Sequence, residues 1–192
     1  MGLDMYLSKA KRINGATARE IAAVSNYYDW LLRPSKYSNS SMYRWCGINK
    51  SEVNMSVADD YRKEYHTVYC AWDTEKKYGW LGIFDGIGYW RKANAIHEWF
   101  VKNVQGGKDD CGIYEVTKEQ LAELLEVCVA VKNDFSESTA TRLLPTMSGF
   151  FFGSTEYDEY YWEQISYTIS LLEKIINETD FNNEMIVYSS SW

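Results

Sequence analysis

The sequence predicts an α+β fold, a single compact domain over residues 1–192 with mixed helices and a small, mainly antiparallel sheet. Three observations carry this. Apolar residues recur at helical spacing in some stretches and alternate in others, without a regular strand–helix–strand rhythm. The chain opens and closes on strand-like segments. At 192 residues, with 2 Pro and 12 Gly, it is long enough to bury a substantial core and too ordered in composition for a disordered class.

Leu3, Met5 and Leu7 alternate with Asp4 and Tyr6, an opening strand. Thr17 and Glu20 have capping-box spacing, and Ile21, Val24, Tyr28 and Leu31 or Leu32 continue a helix that Pro34 ends. Residues 35–56, rich in Ser and Asn, read as a mobile or functional loop. EYHTVYCAW, residues 64–72, is strand-like, and a turn leads into a short apolar stretch at Leu81–Phe84. Asp85-Gly86 and Gly88 punctuate before YWRKANAIHEWF, residues 89–100, which sorts as a helix. Tyr89, Ala93, Ile96, Phe100 and Val104 form its apolar stripe, with Arg91, Glu98 and Lys102 opposite. Gln105-Gly106-Gly107 ends it. Ile113–Val116 reads as a strand, and Thr117 caps a helix with the stripe Leu121, Leu124 or Leu125, Cys128 and Val131 or Val129. A short helix over 136–144 stops before Pro145. GFFFG, residues 149–153, is a compact strand or turn. Thr155 and Asp158 together fit a cap, a helix with the stripe Tyr157, Tyr161, Ile165, Thr168 or Ile169, Leu172 and Ile176 runs to about Ile176, and Met185–Trp192 closes the chain as a strand.

Composition bounds the function. Twenty basic against 27 acidic residues leave a net charge of −7, the wrong sign for a protein that tracks extended nucleic acid. No apolar run approaches a membrane span, and the N-terminus lacks the basic-then-apolar pattern of a secretory signal. Cys46, Cys70, Cys111 and Cys128 show no paired spacing and read as reduced thiols of a cytoplasmic protein. The aromatics, 8 Trp, 16 Tyr and 7 Phe, suit either an aromatic core or a contact surface. Oligomeric state is not encoded in any pattern here.

Reactive candidates are few. His97 falls inside the apolar stripe with Asn94 at its edge, so this helix either braces a core or lines a site. GFFFGST, residues 149–155, resembles a phosphate loop only superficially: it lacks the lysine, and Glu156, Asp158 and Glu159 follow it. Glu156, Glu159 and Glu163 share a helical face that reads as solvated rather than metal-binding. His66 and Cys70 share strand parity, but no knuckle spacing supports zinc. No cofactor, metal or catalytic residue is assigned. The expected contact region is Trp90, Asn94 and His97 with Phe151, Phe152, Tyr157 and Tyr160, where glycine-permitted backbone meets amphipathic aromatics.

Four blocks, MGLDMYL, GYWRKANAIHEWF, DDCGIYEV and LLPTMSGFFFGSTEYDEYYW, resemble a family of uncharacterised bacteriophage and prophage proteins, from the first residue to about Leu172. The resemblance implies a phage origin and a bacterial cytoplasm, and transfers no reactive residue. The leading expectation is a phage-encoded accessory protein that acts by binding, in counter-defence or host takeover, with a host protein or a small nucleotide signal as target. The alternatives are a small enzyme acting on a nucleotide or phosphate compound, with His97 as acid/base, and a virion structural protein.

Overall fold

The computed structural model describes residues 2–13, 15–32, 53–69, 71, 75–77 and 79–192. The elements in chain order are β1 (Asp4–Lys11), α1 (Ala18–Leu32), α2 (Met55–Tyr61), β2 (His66–Tyr69), β3 (Gly79–Gly82), β4 (Asp85–Arg91), α3 (Asn94–Asn103), β5 (Ile113–Val116), α4 (Lys118–Asp134), α5 (Glu137–Leu143), α6 (Glu159–Glu178) and β6 (Glu184–Ser191). Four strands form a sheet in the order β4-β1-β6-β5, every pairing antiparallel, while β2 and β3 pair as a separate two-stranded ladder. The fold is α+β, as the pattern predicts. The opening and closing strands lie side by side at the centre, so residues distant in sequence meet there.

Strand alternation sends the two faces of the sheet into different cores. Leu3 just before β1, Met5 and Leu7 of β1, Trp90 of β4 and Ile186 and Tyr188 of β6 pack against α3, α4 and α6. The opposite parity, Ala10, Met185 and Val187, meets Ile21 and Val24 of α1 and Val57 and Tyr61 of α2. Gly88 on β4 permits the first of these packings. A Cβ there would stand 2.8 Å from Leu171 Cδ2 and 3.3 Å from Leu7 Cβ.

Helices α1 and α4 begin where the sequence places their caps, whereas α6 is capped by Asp158 itself, three residues past Thr155. Thr17 and Glu20 exchange bonds at the start of α1, with the Thr17 N–H donating to Glu20 Oε2 at 2.9 Å. That contact holds the Glu20 carboxyl below its usual pKa. Thr117 and Gln120 form a reciprocal box at α4, and Asp158 accepts from Tyr161 N at 3.1 Å to open α6. Tyr161, Ile165, Thr168, Leu172 and Ile175 then make the buried stripe of α6. No helix among the described residues is long and apolar enough to cross a membrane.

One expectation fails instructively. Residues 89–91 are not helical: they finish β4, and the helix begins only at Asn94. Tyr89 and Arg91 pair in register with Tyr6 and Asp4, and the ladder to β1 takes the backbone groups a helix would use. Lys92, in the left-handed region at φ 57°, breaks the strand from the helix. Arg91 therefore meets Asp4 at 3.0 Å, and Glu98 pairs with Lys102 one turn on, at 2.7 Å. A second difference is α2. The sequence reads 35–56 as loop, yet Asn54 caps a helix by accepting from Ser56 N at 3.1 Å. The rest of that segment up to residue 52, with Pro34 and Cys46, lies outside the described residues, as does Cys70.

Candidate functional site

His97 projects from the first turns of α3 and is completely buried. Its Nδ1 lies 2.7 Å from the Tyr188 hydroxyl on β6, and its Nε2 lies 3.0 Å from Asp109 Oδ2 in the loop before β5. A phenol can donate and a carboxylate accepts, so the partners assign the proton to Nε2 and the lone pair to Nδ1. Burial drives the Tyr188 pKa well above its ordinary value, which keeps that donor protonated. The other oxygen of Asp109 accepts from Trp192 Nε1 at 3.1 Å. The Phe152 ring fills the space between, edge-on to His97 at 5.2 Å and to Trp192 at 5.8 Å.

Asn94 stands one turn earlier and fastens the GFFFG turn. Its Nδ2 donates to Phe152 O at 3.1 Å and Ser154 O at 2.8 Å, and its Oδ1 accepts from Met147 N at 3.2 Å. Three of its four hydrogen-bonding positions are thus spent on the backbone of one loop. Gly153 turns left-handed there, φ 92°, with the stem of Lys92 only 3.1 Å from where a Cβ would stand. Further fastenings are Leu3 N to Phe151 O at 3.1 Å and Thr146 Oγ1 to Thr155 O at 2.8 Å.

The seven residues expected to form the contact region are drawn together, but in different roles. Trp90, Asn94, His97 and Phe152 are buried. Trp90 spends its indole N–H on Thr168 Oγ1 at 2.9 Å. Phe151 and Tyr157 are half-buried, and Tyr157 accepts from Thr146 N while its ring meets Tyr161 at 4.9 Å. Tyr160 is exposed at its ring and donates its hydroxyl to the Arg91 carbonyl. Beside them lies a cleft lined by Lys92, Asn94, Ser154, Glu156, Asp158 and Tyr160, among others, with a volume of about 20 Å³. That is room for roughly one water.

The residue that the sequence pattern does not single out is Phe150. It sits at the tip of the turn, 94% exposed, with its ring against Phe151 at 4.6 Å. Other reactive groups are quiet. Burial lifts the Cys111 thiol above its usual pKa and pushes Cys128 up to about 12, so these two described thiols stay protonated at neutral pH. Glu156, Glu159 and Glu163 are exposed, and among the described residues no three His, Cys, Asp or Glu side chains gather as a metal requires. His66 turns to Asp85.

No protein-family model, curated protein or solved structure matches the chain.

Proposed function

We propose that this chain is an accessory protein of a bacteriophage or prophage that acts by gripping another protein, with the GFFFG turn as its contact. The phage origin rests on the resemblance of the four sequence blocks. The observation that supports gripping is Phe150. A fully exposed phenylalanine contributes little to folding, yet it is held out on a turn fixed by Asn94, Leu3 and Thr146. An aromatic anchor presented without loss of loop freedom is what a hot-spot contact requires. The cleft beside this turn has room for about one water, so at the turn itself a protein partner fits better than a small nucleotide. The enzyme reading needs His97 open to a pocket; its imidazole is sealed and both nitrogens are engaged.

Affinity capture from a bacterial extract tests this, with wild-type and Phe150→Ser baits of equal foldedness. The expected result is one host protein recovered by the wild type and reduced at least tenfold by the variant. Equal recovery by both baits, or ordinary turnover of a nucleotide and phosphoester panel, overturns the reading.

A further inference from the structure

Phe135 follows α4 in the left-handed region, φ 48°. That position usually belongs to glycine or asparagine, because a Cβ is strained there. Phenylalanine is unfavourable on two counts, backbone strain and a ring left 66% exposed. Neither helps folding, and strain retained without structural return points towards function. The ring is nevertheless placed. It lies on Trp162 with centroids 4.4 Å apart. Trp162 is fixed in turn by its N–H on Tyr157 O at 3.2 Å and by the Tyr161 ring at 5.1 Å. The end of α4 and the start of α6 thus carry a rigid, half-open aromatic shelf.

Acidic residues outnumber basic ones around it, with Arg142 the cation acting on Asp134. From Thr117 to Glu178 the chain has eleven Asp and Glu against four Lys and Arg. All eleven carboxylates are exposed, and none is ion-paired among the described residues. Asp134 and Glu137 flank Phe135 in sequence, and Asp158, Glu159 and Glu163 flank Trp162. The Ser136 hydroxyl, donating to Asp134, holds that carboxyl below its usual pKa and so keeps it ionised.

We propose that this shelf docks an arginine-rich segment of a partner protein, with a guanidinium stacked on Phe135 and Trp162 and its N–H edge on the flanking carboxylates. The proposal extends the binding reading above and stands on different residues. Arginine fits better than lysine because a planar cation stacks on a ring while forking to a carboxylate. A predominantly acidic surface steers such a segment in and repels nucleic acid.

The test titrates the whole chain at low salt with oligo-arginine and oligo-lysine peptides of equal length, followed by calorimetry. The arginine peptide binds at least tenfold more tightly than the lysine peptide. Phe135→Gly loses at least tenfold in arginine binding, while its unfolding midpoint stays or rises because strain is relieved. Phe135→Asn, also suited to the left-handed region, repeats the measurement should the glycine variant fold poorly. Absence of arginine binding, equal affinity for the two peptides, or full binding by folded Phe135 variants overturns the proposal. The Phe150→Ser capture result is independent of all three. A host protein lost there without arginine preference here removes the shelf and leaves the gripping turn intact.

Discussion

The two histidines each engage both ring nitrogens, one of them on an aspartate, and only one of the two regions is closed. His97 places one ring nitrogen on Tyr188 and the other on Asp109, and is fully buried. His66 places Nδ1 on the Glu64 carbonyl at 2.7 Å and Nε2 on Asp85 at 3.2 Å, with about half of each side chain in water. The difference lies in the partner's hydrogen as well as in burial. Tyr188 can donate, so His97 completes both bonds with one ring proton. The two oxygens at His66 only accept, so that ring completes both bonds only when doubly protonated. An inward-facing imidazole between a donor and an acceptor braces a core; an outward-facing one between two acceptors senses solvent.

The sharpest way to break this contrast is His97→Ala. It removes both bonds, strands Asp109 and Tyr188, and opens space beneath Phe152. The expected loss is about 3–4 kcal/mol, read as a lower urea midpoint. Loss below about 1 kcal/mol would reject the bracing role. Asn94→Ala comes next. It leaves the Phe152 and Ser154 carbonyls and the Met147 N–H without their partner, for about 2–3 kcal/mol. Because the loss is confined to the turn, backbone amide exchange at 147–154 should accelerate more than in the sheet. Uniform acceleration instead would mean that Asn94 supports the whole core.

Much of this architecture was legible because the signals are local. The alternation of Leu3, Met5 and Leu7, the caps at Thr17 and Thr117, and the stripe from Tyr161 to Leu172 each rest on residues close in sequence. The start of α3 was not, since the periodicity of residues 89–100 suits a helix while the decisive partner, β1, lies more than eighty residues earlier. Aromatic residues also fit a pleated ladder. The inward pointing of His97 was readable from its helix face. Its partners were not: Asp109 lies 12 residues away and Tyr188 lies 91 away, in segments with no motif. Phe150 was illegible for another reason. A run of three phenylalanines has no period, so nothing in it says which ring turns outward. Phe135 carried a signal that is visible only with backbone angles, a bulky residue where a helix usually ends on glycine.

The outward-facing aromatics should behave oppositely to His97 and Asn94. Phe150→Ser is expected to change stability by less than about 0.5 kcal/mol, the usual range for surface substitutions, in the same urea assay. A drop comparable to Asn94→Ala would show the turn to be core, and would bring Phe150 over to the closed side of the comparison.

The smallest effect belongs to His66. The Glu64 carbonyl, then Asp85, raise its pKa above the ordinary value against the opposing cost of partial burial. The folded state therefore binds this proton more tightly than the unfolded chain, whose histidine titrates near about 6.5. The stabilisation is whole below that pH and disappears as pH rises through the higher folded value. Half-exposed groups are screened by water, so the contribution should be only about a few tenths of a kcal/mol. Subtracting a His66→Gln stability profile from the wild-type profile isolates it. The difference should favour the wild type at pH 5.5 and shrink towards pH 8.5, and high salt should flatten it. A difference that grows with pH would mean that His66 is held by its neutral form, and the contrast drawn from its two acceptors would fall.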